Sequence, residues 1–418
     1  MAEGTSRRSC MPPTPATPEA QSWEQLSQHI SQEPDRINGP TSSQAILRLF
    51  GHSESDVRVT LYRDHHAWCP YCQKVWLWLE FQRIPYRIRK VTMRCYGSKE
   101  PWFLQLVPSG MLPALELEGQ LITESDVILL SLEQTFGPLG LPLMDPRALE
   151  LRQLERLLFR AWCLWLCSPG LRPRQQQQAR DQFQRTAQRM EQALEQTPGP
   201  WLDDQGPGGV DLVFVPYVER MNASLAYYKG YRLRREHSAI DRWFAALEQL
   251  ETYRGTQSDM HTHAHDLPPQ MGGCWPDVSE SQQSLAEAID RGDGLGQDET
   301  SWTDDDPKRT TALALGRVMR HRDQLLALNP LGSERFDQPL RAALTQLITG
   351  RPCRPTSGSA AGLRYLRDRI SVPRDMPLPA ARLLRQCLEA TAALDGPAAP
   401  RPLPIRDRYD QDPQAFLR

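Results

Sequence analysis

The chain has 418 residues, more than one hydrophobic core usually serves, which excludes a single small domain and favours two or three domains. Its 49 lysines and arginines are balanced by 51 aspartates and glutamates, so the chain lacks the basic field that holds nucleic acid or an anionic membrane. No run approaches the roughly 20 apolar residues of a membrane helix, and nine scattered cysteines do not resemble a secreted disulfide framework, so we expect a cytoplasmic protein.

The first 55 residues are predicted to be an N-terminal extension. Residues 1–20 are rich in Pro, Ser and Thr and poor in apolar side chains, which predicts disorder. Short helical patterns follow between Ser22 and Phe50, interrupted at residues 38–40 by Asn, Gly and Pro.

Residues 56–140 carry the pattern of an α/β domain. Alternating strand patterns and amphipathic helical patterns follow one another, with turn residues between them. The predicted elements are a strand at 57–61, a helix from Pro70 to Phe81, a strand at 86–93, a short helix at 101–107, strands at 114–117 and 120–123 about Gly119, and a helix beginning at Ser125. A βαβ unit followed by a ββα unit is therefore predicted.

The rest of the chain is predicted to be helical, in two parts. Helical patterns at 146–167, 174–196, 211–227 and 238–253 predict an all-α domain over residues 141–255. Residues 256–303 are rich in Gly, Asp, His, Ser and Pro, which predicts a linker with at most one short helix near 284–289. Four further helical patterns predict an additional module over residues 304–395, followed by a Pro-rich tail over residues 396–418.

Two cysteines stand at the junction of the first predicted strand and helix. Cys69 precedes Pro70, so its sulfur is predicted at a helix N-terminus, where free backbone N–H groups and the helix dipole stabilise a thiolate nucleophile. Cys72 follows one turn later and is placed to act as a resolving thiol. The alternatives are two buried thiols or half of a zinc site, whose other half Cys163 and Cys167 could supply only from another domain. A C-x-x-C pair in this β-α-β order favours redox chemistry.

The sequence Cys69-Pro70-Tyr71-Cys72 resembles the motif of dithiol glutaredoxins. Residues 57–137 resemble the thioredoxin-like N-terminal domain of cysteine-type cytosolic glutathione transferases of the omega, lambda, dehydroascorbate reductase and iota classes. The segments 211–216 and 240–244 resemble the sixth and seventh helices of that family's all-helical C-terminal domain, so the resemblance covers residues 57–255. One departure is Gly208, which stands where the family's sixth helix has a capping Ser or Thr.

The resemblance implies a glutathione site. Leu112-Pro113 resembles the cis-proline turn, where the backbone before the proline pairs with the cysteinyl part of glutathione. Glu124 and Ser125 resemble the pair that binds the γ-glutamyl end, and Lys99 resembles the lysine that holds the glycine carboxylate in omega-type enzymes. Each assignment has a plainer alternative: a trans turn proline, a helix cap at Ser125 and a solvated surface charge at Lys99.

The resemblance also implies a second-substrate pocket beside the cysteines. Tyr71 and the first helix of the all-α domain would line it, and that helix carries Trp162 and Trp165. For the two tryptophans, packing in the core is the plainer alternative.

Three histidines alternate in the predicted linker, at positions 261, 263 and 265. Alternating ligands on an extended segment could hold a metal ion, but the sequence offers no second ligand pair with metal spacing. We therefore expect His261, His263 and His265 to lie in a solvated loop, and we predict no metal site.

These observations predict a glutathione transferase of the cysteine type, with thiol transferase and oxidoreductase activity. Cys69 would attack a small-molecule or glutathionylated substrate, with glutathione as co-substrate, in deglutathionylation or dehydroascorbate-type reduction. Neither nucleic acid nor a membrane is an expected partner, and the family's habit suggests a homodimer. The alternative is a non-enzymatic scaffold or binding protein that keeps the transferase fold and acts through its C-terminal helical module.

Overall fold

The computed structural model describes residues 18–203, 206–301, 306–397 and 408–416. Most of the segment predicted to be disordered, residues 1–20, lies outside these ranges, as does much of the predicted tail. Within them, no helix combines the length and apolar character needed to cross a membrane.

A five-stranded mixed sheet forms the centre of the N-terminal domain, in the order β1-β3-β2-β4-β5. The strands are β1 (Leu47–Arg48), β2 (Val59–Asp64), β3 (Tyr86–Val91), β4 (Ala114–Leu117) and β5 (Gln120–Thr123). Strands β2 and β3 are parallel, whereas the pairs β1–β3, β2–β4 and β4–β5 are antiparallel. The predicted βαβ-ββα thioredoxin-like order is therefore confirmed. The short strand β1 was missed, because residues 46–49 read as a helical pattern although β3 offers a free edge there.

Four helices accompany this part of the chain: α1 (Trp23–Ser27), α2 (Pro70–Phe81), α3 (Pro101–Leu106) and α4 (Ser125–Phe136). Helix α2 connects the two parallel strands and begins at the predicted residue. A proline fits the first helical position because the N–H that it lacks would have no partner there. Helix α3 packs on the opposite face of the sheet, where Phe103 contacts Tyr62 in a small separate core.

The all-α domain is built around one buried helix. Its helices are α5 (Pro146–Cys167), α6 (Pro173–Glu195), α7 (Gly209–Lys229), α8 (Leu233–Glu236), α9 (Ser238–Leu247) and α10 (Glu251–Thr256). Every residue of α7 is buried, because α2, α5, α8 and the two helices between residues 260 and 290 pack against it. Gly208 caps α7 without a side chain, but the Asp211 carboxylate accepts the Gly208 N–H at 3.0 Å and the Leu202 N–H at 2.9 Å.

The prediction of a linker over residues 256–303 is wrong. That stretch contains α11 (Met260–Met271) and α12 (Glu280–Asp290), and both pack on α7. Met260, Ala264 and Ile289 belong to the same hydrophobic core as the sheet and the all-α domain. The helical signal was weak because much of the buried surface of α11 is formed by His, Thr and Asp side chains.

The C-terminal helices form a second core. They are α13 (Pro307–Arg320), α14 (Arg322–Leu328), α15 (Ser333–Thr349), α16 (Ala360–Arg367) and α17 (Leu378–Ala393). Leu26 of α1 is buried among them, and the indole N–H of Trp23 donates to Asp337 at 2.7 Å. The additional helical module is therefore present, and the N-terminal extension contributes to its core.

The described end of the predicted tail returns to the N-terminal domain. Arg408 is buried, its guanidinium lies 2.8 Å from the Asp266 carboxylate, and its backbone N–H donates to the Cys95 carbonyl at 2.6 Å. Residues 408–416 thus connect α11 to the loop that follows β3.

Candidate functional site

The two cysteines of the motif meet at the start of α2. Cys69 is the N-cap residue, 7% exposed, and its carbonyl accepts the Gln73 N–H at 3.0 Å. Cys72 is 1% exposed, and its thiol is hydrogen-bonded to Cys69. Burial raises the pKa of the Cys72 thiol well above its ordinary value, and the contact with Cys69 raises it further. Cys69 is therefore the more accessible sulfur, with a protonated thiol beside it. All eight cysteines of the described ranges are free.

A buried aspartate that the sequence analysis missed holds the backbone in front of Cys69. One oxygen of Asp64, the last residue of β2, accepts the N–H groups of Trp68 at 2.7 Å and Cys69 at 3.2 Å. Asp64 is fully buried. The signal in the sequence was an aspartate at the end of a strand, in the turn that leads to a helix start, where a carboxylate commonly accepts backbone N–H groups.

A buried arginine from the all-α domain reaches the same loop and was also missed. Arg220 of α7 donates to the Trp68 carbonyl and, at 2.9 Å, to the side-chain oxygen of Gln73, and its guanidinium lies 4.6 Å from the centre of the Trp68 ring. Burial lowers the pKa of Arg220, whereas Glu219, Cys69 and Asp64 act to raise it. The signal was a charged pair, Glu219 and Arg220, inside an otherwise apolar helix.

The residues predicted to bind glutathione lie in loops at the same end of the strands. In the register of the sheet, Asp64 faces Val91, Tyr62 faces Ala114, and Ala114 faces Thr123. The chain therefore enters or leaves the strands there at the loop before Cys69, at Thr92 toward Lys99, at Pro113 and at Glu124. The Leu112–Pro113 peptide is cis, as the sequence analysis expected.

Two of these predicted residues show local features that suit binding. Glu124 has a positive φ of 65° and an exposed side chain, a conformation that non-glycine residues rarely adopt, and it places Ser125 at the start of α4. Lys99 is half-buried, and its ammonium donates to the Thr92 carbonyl at 3.1 Å. Burial lowers the pKa of Lys99, whereas the nearby Cys72 and Glu100 act to raise it. Lys99 is therefore not a solvated surface charge.

Of the three residues predicted to line the second-substrate pocket, two are buried in the core and one is partly exposed. Trp162 and Trp165 are 1% and 2% exposed, within the core, where Trp162 donates to Ser224 at 3.0 Å and Trp165 packs on Phe183. This corrects their assignment to the pocket: both point from α5 into the all-α domain. Tyr71 is 37% exposed.

The open space near Tyr71 lies on another face of α5. A cavity of about 490 Å³ is lined by Asp126 and by Arg152, Arg156 and Arg160, which recur every four residues along α5 and so share one face. The Tyr71 ring packs edge-on against Tyr217, with 5.7 Å between the ring centres, and the Arg156 guanidinium lies 4.6 Å from the centre of the Tyr217 ring. Glu155, which pairs with Arg156, also lines the cavity, and Asp126 lies 3.6 Å from Arg152. Three arginines therefore face two carboxylates, which leaves a small excess of positive charge.

The three histidines are buried in α11 and do not form a solvated loop. His263 lies 3.0 Å from the Glu219 carboxylate, and His265 lies 2.7 Å from the Asp290 carboxylate. His261, His265 and Asp290 each offer an atom within 4.8 Å of the other two, the arrangement of a cluster that could hold a metal ion. The expectation that these residues are solvated is corrected, because i and i+4 positions on a helix bring His261 and His265 together.

Comparison with known proteins agrees with this architecture. Residues 68–135 match the family model of the glutathione S-transferase N-terminal domain, and residues 173–246 match that of the C-terminal domain. These two stretches of the chain are therefore similar to the two domains of glutathione S-transferases.

Curated relatives come from plants. Glutathione S-transferase DHAR2 of Arabidopsis thaliana is 24% identical over 190 residues, which cover 46% of this chain and 84% of the relative. The probable glutathione S-transferase DHAR1, cytosolic, of Oryza sativa subsp. japonica is 24% identical over 194 residues, again 46% of this chain and 84% of the relative. Among solved structures, glutathione transferase Omega 3C from Trametes versicolor matches with 24% identity and a TM-score of 0.42, over 58% of this chain and 98% of that one.

Proposed function

We propose that this protein is a glutathione-dependent thiol transferase or reductase whose nucleophile is Cys69. The observation that carries the proposal is the position of Cys69 at the start of α2, in contact with the protonated thiol of Cys72. Free N–H groups at a helix start and the S–H of a neighbouring thiol both stabilise a thiolate. The two family domains and the plant relatives named DHAR support the same chemistry.

In thiol transfer, Cys69 exchanges one disulfide for another. Its thiolate attacks the glutathionyl sulfur of a mixed disulfide, so that a bond forms between Cys69 and glutathione while the substrate thiolate leaves and takes up a proton. The thiolate of a second glutathione then attacks the glutathionyl sulfur held on Cys69. Glutathione disulfide departs, and the Cys69 thiolate is restored. Each turnover therefore releases one substrate thiol and oxidises one free glutathione, which leaves joined to the glutathionyl group taken from the mixed disulfide.

Glutathione would lie at the end of the strands where the loops described above meet. The backbone of Leu112 beside the cis-proline would pair with its cysteinyl part, Glu124 and Ser125 at the start of α4 would hold the γ-glutamyl end, and Lys99 would hold the glycine carboxylate. A carboxylate at a helix start and a carboxylate at a half-buried ammonium are both favourable pairings. The residues present therefore fit a tripeptide with a carboxylate at each end and an ammonium at the γ-glutamyl end, where Glu124 would be its partner.

The second substrate would enter along the basic face of α5. Tyr71 is partly exposed, and Arg152 and Arg156 line the neighbouring cavity. Arginines at this position favour an anionic substrate, such as a glutathionylated molecule that carries carboxylates of its own. This face replaces the two core tryptophans as the proposed second-substrate pocket.

Dehydroascorbate is the second candidate substrate, because two of the relatives are named DHAR. Its reduction to ascorbate takes two electrons and two protons. Two glutathione thiols supply both and leave as one disulfide, with Cys69 holding the glutathionyl group between the two steps.

Three substrates assayed in parallel test the proposal: hydroxyethyl disulfide, a glutathionylated peptide and dehydroascorbate, each with glutathione. We expect turnover of at least one, abolished in Cys69→Ser. Turnover should be retained in Cys72→Ser, because the exchange above needs one thiol. Cys387→Ser, in α17, is the matched control and should behave as the wild type.

Two results would contradict the proposal. Turnover that survives Cys69→Ser would remove Cys69 from the reaction. A wild-type protein inactive on all three substrates, whose Cys69 reacts with iodoacetamide no faster than free cysteine, would favour the alternative of a scaffold that keeps the fold without the chemistry.

A further inference from the structure

A second large cavity lies between the thioredoxin-like domain and the C-terminal module. Its volume is about 480 Å³, within the usual range of small-molecule sites. One wall comes from the sheet, with Ile88 and Lys90 of β3 pointing to the same face. The opposite wall comes from the C-terminal helices, and the described end of the tail, including Phe416, lines the cavity too. This cavity exists only because the additional module packs on the sheet.

Most of the cavity lining is apolar. Ile46 and Ile88 line it from the N-terminal domain, and Val318, Leu325 and Ile370 line it from the module. Such a surface favours an apolar ligand body.

The polar part of the lining carries an excess of positive charge. Arg374 is paired with Asp375 at 2.8 Å, and Arg369 is hydrogen-bonded to Asp410 at 2.6 Å. Arg317 donates to the backbone carbonyl of Asp375 at 2.7 Å, and the Asp375 carboxylate, which is paired with Arg374, also acts on its charge.

Among the described residues, Lys90 is a polar group of the lining without a partner. Its side chain lines the cavity, and no hydrogen bond or ion pair to it is found among the residues that the structure describes. The pKa of Lys90 is lowered to about 7, chiefly by burial and in smaller part by the positive charges of Arg63 and Arg317. His65 also lines the cavity and is neutral at pH 7, because burial lowers its pKa to about 4. An anion beside Lys90 and Arg317 would favour the protonated ammonium of Lys90 and would pair with it and with the Arg317 guanidinium.

We propose that this cavity binds a molecule with a single carboxylate on an unbranched hydrocarbon body, with the carboxylate held by Lys90 and Arg317. The hydrocarbon lies against the isoleucines of the sheet and the apolar side chains of the module. Binding of this kind would stabilise the packing of the module on the sheet, because residues of both contact the ligand. The site does not involve Cys69 and stands whether or not Cys69 is a nucleophile.

Calorimetric titration of the full chain with three ligands of equal chain length tests the proposal: decanoate, decanol and decylammonium. Decanoate should bind with one-to-one stoichiometry at least about tenfold tighter than decanol, because a charge-assisted pair contributes about 1.5 kcal/mol or more. Decylammonium should bind more weakly than decanol, because its charge repels Lys90 and Arg317.

Lys90→Met keeps the length of the side chain and removes its charge, so it should reduce the preference for decanoate over decanol to about threefold or less. Arg87→Met is the matched control. It removes one positive charge from the same strand, but Arg87 points to the other face and pairs with Glu54. We expect no change in selectivity in this variant.

A photoreactive decanoate with a diazirine at its far end locates the site in the wild-type chain without any substitution. We expect cross-links in peptides that contain the apolar lining, such as residues 318–325 or Phe416. Equal affinity for decanoate and decanol, absence of binding, or cross-links confined to α5 and the Cys69 region would each overturn the proposal.

Discussion

Opposite charges are buried on either side of the Cys69 backbone. Asp64 holds the N–H groups of Trp68 and Cys69, and Arg220 donates to the Trp68 carbonyl. Neither charge is solvated, so each depends on these hydrogen bonds and on the other's field. Because one comes from β2 and the other from α7, the loop before Cys69 is fixed by both domains. The conformation of the proposed nucleophile is thus tied to the packing of the all-α domain on the sheet.

Buried histidines give the folded protein a defined response to acid. Burial lowers the pKa of His66 well below its ordinary value of 6.5, and it lowers that of His263 in the same direction. The unfolded chain therefore binds protons near pH 6.5, where the folded chain does not. Stability contributed by these residues is present above pH 6.5 and is lost as the pH falls below that value.

His66→Phe should weaken this dependence. The phenyl ring can keep the stacking on Tyr96, whose ring centre lies 3.5 Å from that of His66, while the titrating group is removed. Between pH 7 and pH 5, the loss in free energy of unfolding should be smaller by about 2 kcal/mol than in the wild type. Urea unfolding at pH 7 and pH 5 measures the free energy of unfolding of both proteins. The exposed His52→Phe serves as control, and equal pH dependence of His66→Phe and wild type would contradict the argument.

At the level of residues, the sequence predicted the residues whose positions follow from local sequence patterns. Cys69 and Pro70 were found because a cysteine and a proline at a strand–helix junction have positional meaning, and the resemblance to a known family supplied Leu112 and Pro113. Arg220 lies far from Cys69 in the chain, and only the packing of α7 on α2 brings them together. Trp162 and Trp165 were misassigned because a helical pattern does not tell which buried face meets the core.

Among the elements, α7 determines how the two family domains pack. Its first residue, Gly209, lies against the indole of Trp78 in α2, and a β-carbon added there would lie 2.5 Å from the nearest ring carbon. The Gly209 N–H also donates to the Leu139 carbonyl at 2.6 Å. The glycine therefore permits a close approach between the start of α7 and α2.

Gly209→Ala should therefore destabilise the protein by about 1–3 kcal/mol, because the added methyl group overpacks the contact with Trp78. Urea unfolding followed by tryptophan fluorescence measures the loss. Gly316→Ala in α13 is the control, because its added β-carbon would meet only Ile30, at 3.4 Å. There the higher helix propensity of alanine should leave stability unchanged or raise it by up to about 1 kcal/mol. Equal effects of the two substitutions would contradict the packing argument.

The elements also show where sequence patterns stop being informative. Helices α2 and α5 were predicted with the observed bounds because each begins with a proline at its first position and keeps an apolar periodicity. Helix α11 was missed because it buries His261, His263 and Asp266, whose partners come from distant parts of the chain. From sequence alone, a polar side chain is interpreted as solvent-exposed, because the buried group that it pairs with is not known.

For the whole molecule, the decisive feature is how the second core is joined to the first. Besides apolar contacts, the junction contains hydrogen bonds from residues near the sheet and α11 to the segment between α16 and α17. The Ser43 hydroxyl donates to the Pro373 carbonyl at 2.5 Å, and the Val372 N–H donates to Thr262 at 3.0 Å. These buried polar contacts fix one orientation of the module, and the cavity lined by Lys90 depends on that orientation.

The junction also contains a buried ion pair between Arg385 of α17 and Asp259, the N-cap residue of α11. Arg385 is fully buried and Asp259 is 5% exposed, and Asp259 also accepts the Thr262 N–H at 2.9 Å. Although burial acts to raise the pKa of Asp259, the Arg385 guanidinium and the bonds from Thr262 hold it below the ordinary value.

Arg385→Met should destabilise the protein by about 3–5 kcal/mol, because it leaves the Asp259 carboxylate buried without its cation. The double variant Asp259→Ser, Arg385→Met should be more stable than Arg385→Met alone, since the uncompensated charge is gone and serine still caps α11. Urea unfolding followed by circular dichroism measures both. If instead the double variant is destabilised by the sum of the two single effects, the ion pair does not couple the module to α11, and apolar contacts alone hold the two cores together.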